Sequence, residues 1–110
     1  MVLVLEDDHN LQASVRRIAE DLGFRVVPAR SLDEAKRLLA RIARPCLVLL
    51  DALTKEGLEA MTHLGSQYPL ATIPVRQSAS NVRRLSKRSV HIDLLRKALQ
   101  QHCGEPEPAK

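Results

Sequence analysis

The sequence predicts an α/β domain with a doubly wound parallel sheet, and three observations predict it. The runs Val2-Leu3-Val4-Leu5 and Leu47-Val48-Leu49-Leu50 are continuously apolar, as in strands covered on both faces. Other segments carry apolar residues at helical spacing, so strand and helix signals alternate along the chain. Acidic residues close both apolar runs, Glu6-Asp7 the first and Asp51 the second. Ligands of open parallel sheets bind beyond the carboxyl ends of the strands, which is where these acids fall.

After the first strand, Leu11, Val15, Ile18, Ala19 and Leu22 mark one face of a helix that Gly23 stops. Asp8 reads as a charge at the start of that helix. Phe24-Arg25-Val26-Val27 reads as the second strand. Ser31-Leu32-Asp33-Glu34 is a capping box, opening a helix with Ala35, Leu38, Leu39 and Ile42 on its inner face and Pro45 at its end. The third strand runs from Cys46 to Leu50. Leu58, Met61 and Leu64 predict a short third helix ending before Pro69, and Ile73-Pro74-Val75 predicts a weak fourth strand. Leu94, Leu95, Ala98 and Leu99 mark a final helix. Residues 1–103 read as one domain, and the tail 104–110, without a large apolar side chain, reads as disordered. This order suits the flavodoxin-like strand arrangement, whose switch point sets Glu6-Asp7 beside Asp51.

A chain of 110 residues is a normal size for one domain, able to bury roughly two-thirds of its unfolded surface. No apolar run approaches the ~20 residues of a membrane span, and no basic region precedes the first apolar run as in a signal peptide. Cys46, inside a strand pattern, and Cys103, near the C-terminal end, read as one buried and one peripheral thiol in a reducing compartment, and the expected location is the cytoplasm. The net charge of +4 is uneven, because no acid lies between Ala60 and Ile92 while Arg76, Arg83, Arg84, Lys87 and Arg88 do. Such a stripe is either a solvated surface or an attraction for nucleic acid or an acidic partner. Phe24 and Tyr68 are the only aromatic residues, so no stacking platform supports single-strand nucleic-acid binding. His9, His63, His91 and His102 share no metal-ligand spacing.

The chemistry-bearing residues are Glu6, Asp7, Asp51, Ser78 and Lys87. Three carboxylates together are costly unless a cation sits among them, and their oxygens suit a hard ion such as Mg²⁺. With a hydroxyl and an ammonium group further along, they outline a phosphoryl-accepting site.

In this order the residues resemble the receiver domain of two-component response regulators, over residues 2–101. Val2-Leu3-Val4-Leu5-Glu6-Asp7-Asp8 resembles the family's first strand and acidic pair, in the variant with Glu first. Asp21-Leu22-Gly23-Phe24-Arg25-Val26 resembles the link into its second strand. Arg44-Pro45-Cys46-Leu47-Val48-Leu49-Leu50-Asp51 is the most specific match, and ends at the phosphoacceptor aspartate. Gly57-Leu58-Glu59, the pair Ser78-Ala79, Lys87 and Leu94-Leu95-Arg96-Lys97-Ala98-Leu99 resemble later pieces of the pattern. The resemblance implies a phosphorylation switch, not an enzyme: Asp51 takes a phosphoryl group from a sensor histidine kinase or phosphotransfer protein. It also implies that Glu6, Asp7, Asp51 and the backbone carbonyl of Leu53 hold Mg²⁺, while Ser78 and Lys87 bind phosphoryl oxygens.

The chain departs from that pattern in several places. Only eight residues separate Ser78 from Lys87, too few for both a helix of about eleven residues and a strand of about five. The sheet is therefore expected to be truncated around the fourth helix and fifth strand, with 82–85 as what remains of that strand. The loop after Asp51 is two residues short and lacks the family's Pro. Arg84 stands at the family's switch aromatic, and Arg88 stands at the Pro that normally follows the lysine. Arg76 falls in the fourth strand, where an unpaired buried guanidinium would be expensive. Lys55 reads as a surface lysine within reach of the pocket. A sheet face uncovered by a missing helix attracts a partner, so a homodimer or a docking protein is expected on the side formed by residues 70–85. The competing expectation is a pseudoreceiver, a protein-interaction module that works without phosphorylation.

Overall fold

The computed structural model describes residues 1–51, 54–77 and 88–104. Strands β1 (Val2–Leu5), β2 (Val26–Ala29), β3 (Leu47–Leu50) and β4 (Leu70–Thr72) form one parallel sheet in the order β2-β1-β3-β4. Helices α1 (His9–Asp21), α2 (Leu32–Leu39), α3 (Lys55–Leu64) and α4 (Ile92–Cys103) pack around it. The architecture is flavodoxin-like α/β.

The alternation of side chains along β1 and β3 makes the sheet doubly wound. Val2, Val4, Leu47 and Leu49 face α1 and α4, where they meet Val15, Ala19, Phe24, Leu95 and Leu99. Leu3, Leu5, Val48 and Leu50 face α2 and α3, where they meet Leu32, Ala35, Ala60 and Leu64. All eight residues of the two strands are buried, and each such side chain contributes about 1.5–3 kcal/mol through burial. That explains why both runs are continuously apolar.

Local signals set the helix starts. Asp8 caps α1, its Oδ1 accepting from the Asn10 and Leu11 N–H groups at 3.0 and 3.1 Å. The Ser31 hydroxyl accepts from the Glu34 N–H at 3.1 Å, and the Glu34 carboxylate reaches back to the Arg30 N–H at 2.6 Å. The expected capping box is thus present, with its return bond one residue before the cap. Helix α2 ends at Leu39, well before Pro45, so Ile42 lies beyond it.

Four expectations are corrected. The second strand starts two residues late, at Val26, and Phe24 plugs the α1 face instead. The fourth strand is Leu70–Thr72; Val75 belongs to β5 (Val75–Gln77), which pairs antiparallel with β6 (Arg88–Val90). In α3 the buried residues are Gly57, Ala60 and Leu64, while Leu58 is 54% and Met61 38% exposed. Lastly, Cys46 and Cys103 are joined in a disulfide, with their Cα atoms 5.3 Å apart. Cys46 immediately precedes β3 and Cys103 ends α4, so packing α4 against β3 brings together thiols 57 residues apart. Disulfides persist in oxidising surroundings, so the cysteines no longer argue for a reducing compartment.

The expected truncation shows as a four-stranded sheet with the β5–β6 pair beyond it. Among the described residues no helix separates β4 from β6. The strand expected at 82–85 and the tail 105–110 lie outside the described residues. No described helix is long and apolar enough to cross a membrane.

Candidate functional site

Strand register builds the site. Leu5 of β1 pairs with Leu50 of β3, so the next residues, Glu6 and Asp51, emerge side by side at the carboxyl ends of adjacent strands. Both are buried, at 3% and 5% exposure, and they are the two buried charged residues among those described. Asp7 stands exposed at the rim. All three line one cavity of about 10 Å³, room for about one water-sized occupant.

A set of backbone bonds holds the cavity walls. The Glu6 N–H donates to the Ala29 carbonyl at 3.0 Å. The Gln12 side-chain amide donates to the carbonyls of Glu6 and Ala29 at 3.0 and 2.8 Å, tying α1 across the ends of β1 and β2. Opposite, the Thr54 hydroxyl donates to the Asp51 carbonyl at 3.1 Å and accepts from the Gly57 N–H at 2.9 Å. Thr54 thereby caps α3 and fixes the chain leaving Asp51. Glu56 completes that wall, and its Oε2 accepts from the Leu32 N–H at 3.3 Å.

Among the described residues, carboxylates predominate around the cavity. The Glu6 pKa is raised to about 7, chiefly by burial, with the Asp7 and Asp51 carboxylates adding to the effect and a bond from the Asp8 N–H opposing it. That N–H reaches Oε2 at 2.9 Å, while Oε1 has no partner. A buried carboxylate oxygen left without a donor, beside two further carboxylates, has the character of a cation ligand. Among the described residues no three His, Cys, Asp or Glu side chains form a complete metal cluster. A hard ion that keeps several waters, such as Mg²⁺, needs only one or two carboxylates, so the residues fit it.

The structure brings Glu6, Asp7 and Asp51 together as the sequence implies. Lys55 is exposed at the start of α3 and does not line the cavity. Leu53, Ser78 and Lys87 lie outside the described residues. Gln12, Arg30, Thr54 and Glu56 were not legible as site residues. Only Thr54 carried a local signal, as a helix-capping residue type three positions before a glycine.

A four-stranded parallel sheet with adjacent buried acids at its switch point defines a receiver-like α/β fold. No family model matches the chain, and no curated protein matches it. Among solved structures it is similar to the anti-anti-sigma factor PhyR, in a co-crystal with the anti-sigma factor NepR from Bartonella quintana. The TM-score is 0.59 at 20% identity, over 91% of this chain. The chain spans 46% of the length of that protein, so the likeness concerns the fold of a part of it.

Proposed function

We propose that this chain is a receiver-type switch that accepts a phosphoryl group on Asp51 and acts by binding another protein. The observation that carries the reading is the placement of Asp51, buried beside buried Glu6 at the ends of adjacent parallel strands. The donor would be a phosphohistidine on a sensor kinase or phosphotransfer protein. Bound Mg²⁺ would neutralise phosphoryl oxygens during in-line transfer. Asp51 would supply the attacking carboxylate oxygen, and Glu6, Asp7 and Asp51 would hold the ion, with the carbonyl of Leu53, outside the described residues, as the further ligand the resemblance implies. Ser78 and Lys87, outside the described residues, would take phosphoryl oxygens as the resemblance implies. Gln12 and Thr54 keep the strand ends in place and exchange no proton, so the chemistry is positioning and electrostatics. On this reading the chain has no catalytic turnover of its own.

Output through protein binding is supported by fold and surface. The similar structure holds PhyR with a partner protein. Here Leu58 and Met61 of α3, and Ile92 and Leu94 of α4, are exposed. Separately from these residues, the segment 70–85, of which 70–77 are described, is the proposed contact for a second copy or a docking protein. A monomer at high micromolar concentration that binds no apolar dye would remove that part of the proposal.

A pseudoreceiver is the second reading, favoured by the antiparallel β5–β6 pair where a flavodoxin-like sheet continues with a parallel fifth strand. Intact mass after incubation with acetyl phosphate and Mg²⁺, beside Asp51→Asn, separates the two. A phosphoryl adduct on the wild type alone supports the switch. A folded wild type without an adduct supports the pseudoreceiver.

A further inference from the structure

We propose that Arg30, at the end of β2, is a phosphoryl-binding residue of the Asp51 site, a role that rests on the phosphoryl-acceptor reading above. The size of the cavity is the first argument. At about 10 Å³ it admits one small occupant, so a phosphoryl group on Asp51 has to project to the mouth. Arg30 is the one basic residue among the described residues lining that cavity. It is exposed, and no ion pair to another described residue engages its guanidinium.

Its backbone is held in place from three sides. Arg30 follows Ala29, whose carbonyl accepts from both the Glu6 N–H and the Gln12 amide. Its own N–H is bonded to the Glu34 carboxylate at 2.6 Å. The next turn is anchored by Ser31 on Glu34 and by the Leu32 N–H on Glu56. The capping box of α2 therefore fixes the base of Arg30 at the rim, while its long side chain stays available. A guanidinium matches two phosphoryl oxygens at once.

In the transfer from acetyl phosphate, an Asp51 carboxylate oxygen forms a bond to phosphorus as the bond to the acetate oxygen breaks, and acetate leaves with that electron pair. The resulting acyl phosphate adds negative charge to a site already lined by Glu6, Asp7 and Glu56. Arg30 offsets that charge at the mouth. Before transfer it has the opposite influence on the metal, since a cation at the rim repels Mg²⁺ from the carboxylates.

The test compares wild type, Arg30→Ala and Arg30→Lys by adduct formation from subsaturating acetyl phosphate and by calorimetric Mg²⁺ titration. Arg30→Ala is expected to slow adduct formation about tenfold, the worth of one charge-assisted hydrogen bond. It should also bind Mg²⁺ more tightly, with an unchanged melting temperature. Arg30→Lys should recover part of the rate. Equal rates in wild type and Arg30→Ala would overturn the role of Arg30 alone. A slower rate with weaker Mg²⁺ binding would also overturn it, because it would mark a structural role. No adduct on the wild type would overturn both this inference and the acceptor reading.

Discussion

Gly57 of α3 lies so close to Asp51 that a Cβ built on it would overlap the Asp51 carbonyl oxygen. The short loop after Asp51 makes this contact: Thr54 turns the chain, bonds the same carbonyl and lets α3 begin at Lys55. The helix start is therefore pressed onto the backbone of the acidic site, and only a residue without a side chain fits.

Gly57→Ala should consequently destabilise the protein. In an unencumbered helix interior the same change stabilises by about 1 kcal/mol, so the sign alone is diagnostic. Urea melts of the two proteins decide it. A loss of more than about 1 kcal/mol, of the kind overpacking produces, is expected, with reduced phosphoryl uptake. A gain in stability would mean that the two segments do not meet.

Without divalent ions, stability should fall as pH rises from about 4.5 to about 7. The Glu6 pKa is raised from 4.5 to about 7, mainly by burial, so the folded state keeps a proton that the unfolded chain has lost. The favourable contribution is complete below the unfolded value and is lost as pH rises through the folded one, on the order of 3 kcal/mol. Denaturant titrations at pH 5 and pH 8 read this directly. Glu6→Gln should flatten the slope, and Mg²⁺ at pH 8 should restore stability to the wild type but not to the variant. A flat wild-type profile would contradict the burial of an ionisable Glu6.

Reducing the Cys46–Cys103 disulfide should lower the melting temperature while leaving Asp51 competent. Opening a cross-link of 57-residue separation removes about 4 kcal/mol in the loop-entropy account. The bond joins the start of β3 to the end of α4, at the opposite end of β3 from Asp51. Melts with and without reductant, beside a Cys46→Ser/Cys103→Ser double variant, should show the loss once. Reductant that lowers the midpoint of the double variant as well would point to another cause.

On α3, Leu64→Ala should cost about 2–5 kcal/mol, whereas Leu58→Ser should change stability by about 0.5 kcal/mol or less. Leu64 is 4% exposed and Leu58 54%. Comparable losses at both positions would return Leu58 to the core, as its spacing in the sequence suggested.

Much of the fold is readable from the sequence because its causes are local. Continuous apolar runs at residues 2–5 and 47–50 announce strands covered on both faces, Asp8 and Ser31 announce helix starts, and acids that close apolar runs fall at strand ends whatever surrounds them. Glu6, Asp7 and Asp51 are site candidates for that reason. Tertiary structure alone decides the rest. The buried face of α3 turns on how closely Gly57 and Ala60 approach the sheet, and small residues leave a fainter apolar trace than Leu58 and Met61. The pairing of β5 with β6 depends on partners distant in sequence, as does the meeting of Cys46 and Cys103. Arg30 and Glu56 join the site only because β2 lies beside β1 and α3 folds back over the β2–α2 turn. Such placements are set by packing energies summed over the whole sheet, and no short window of sequence carries that sum.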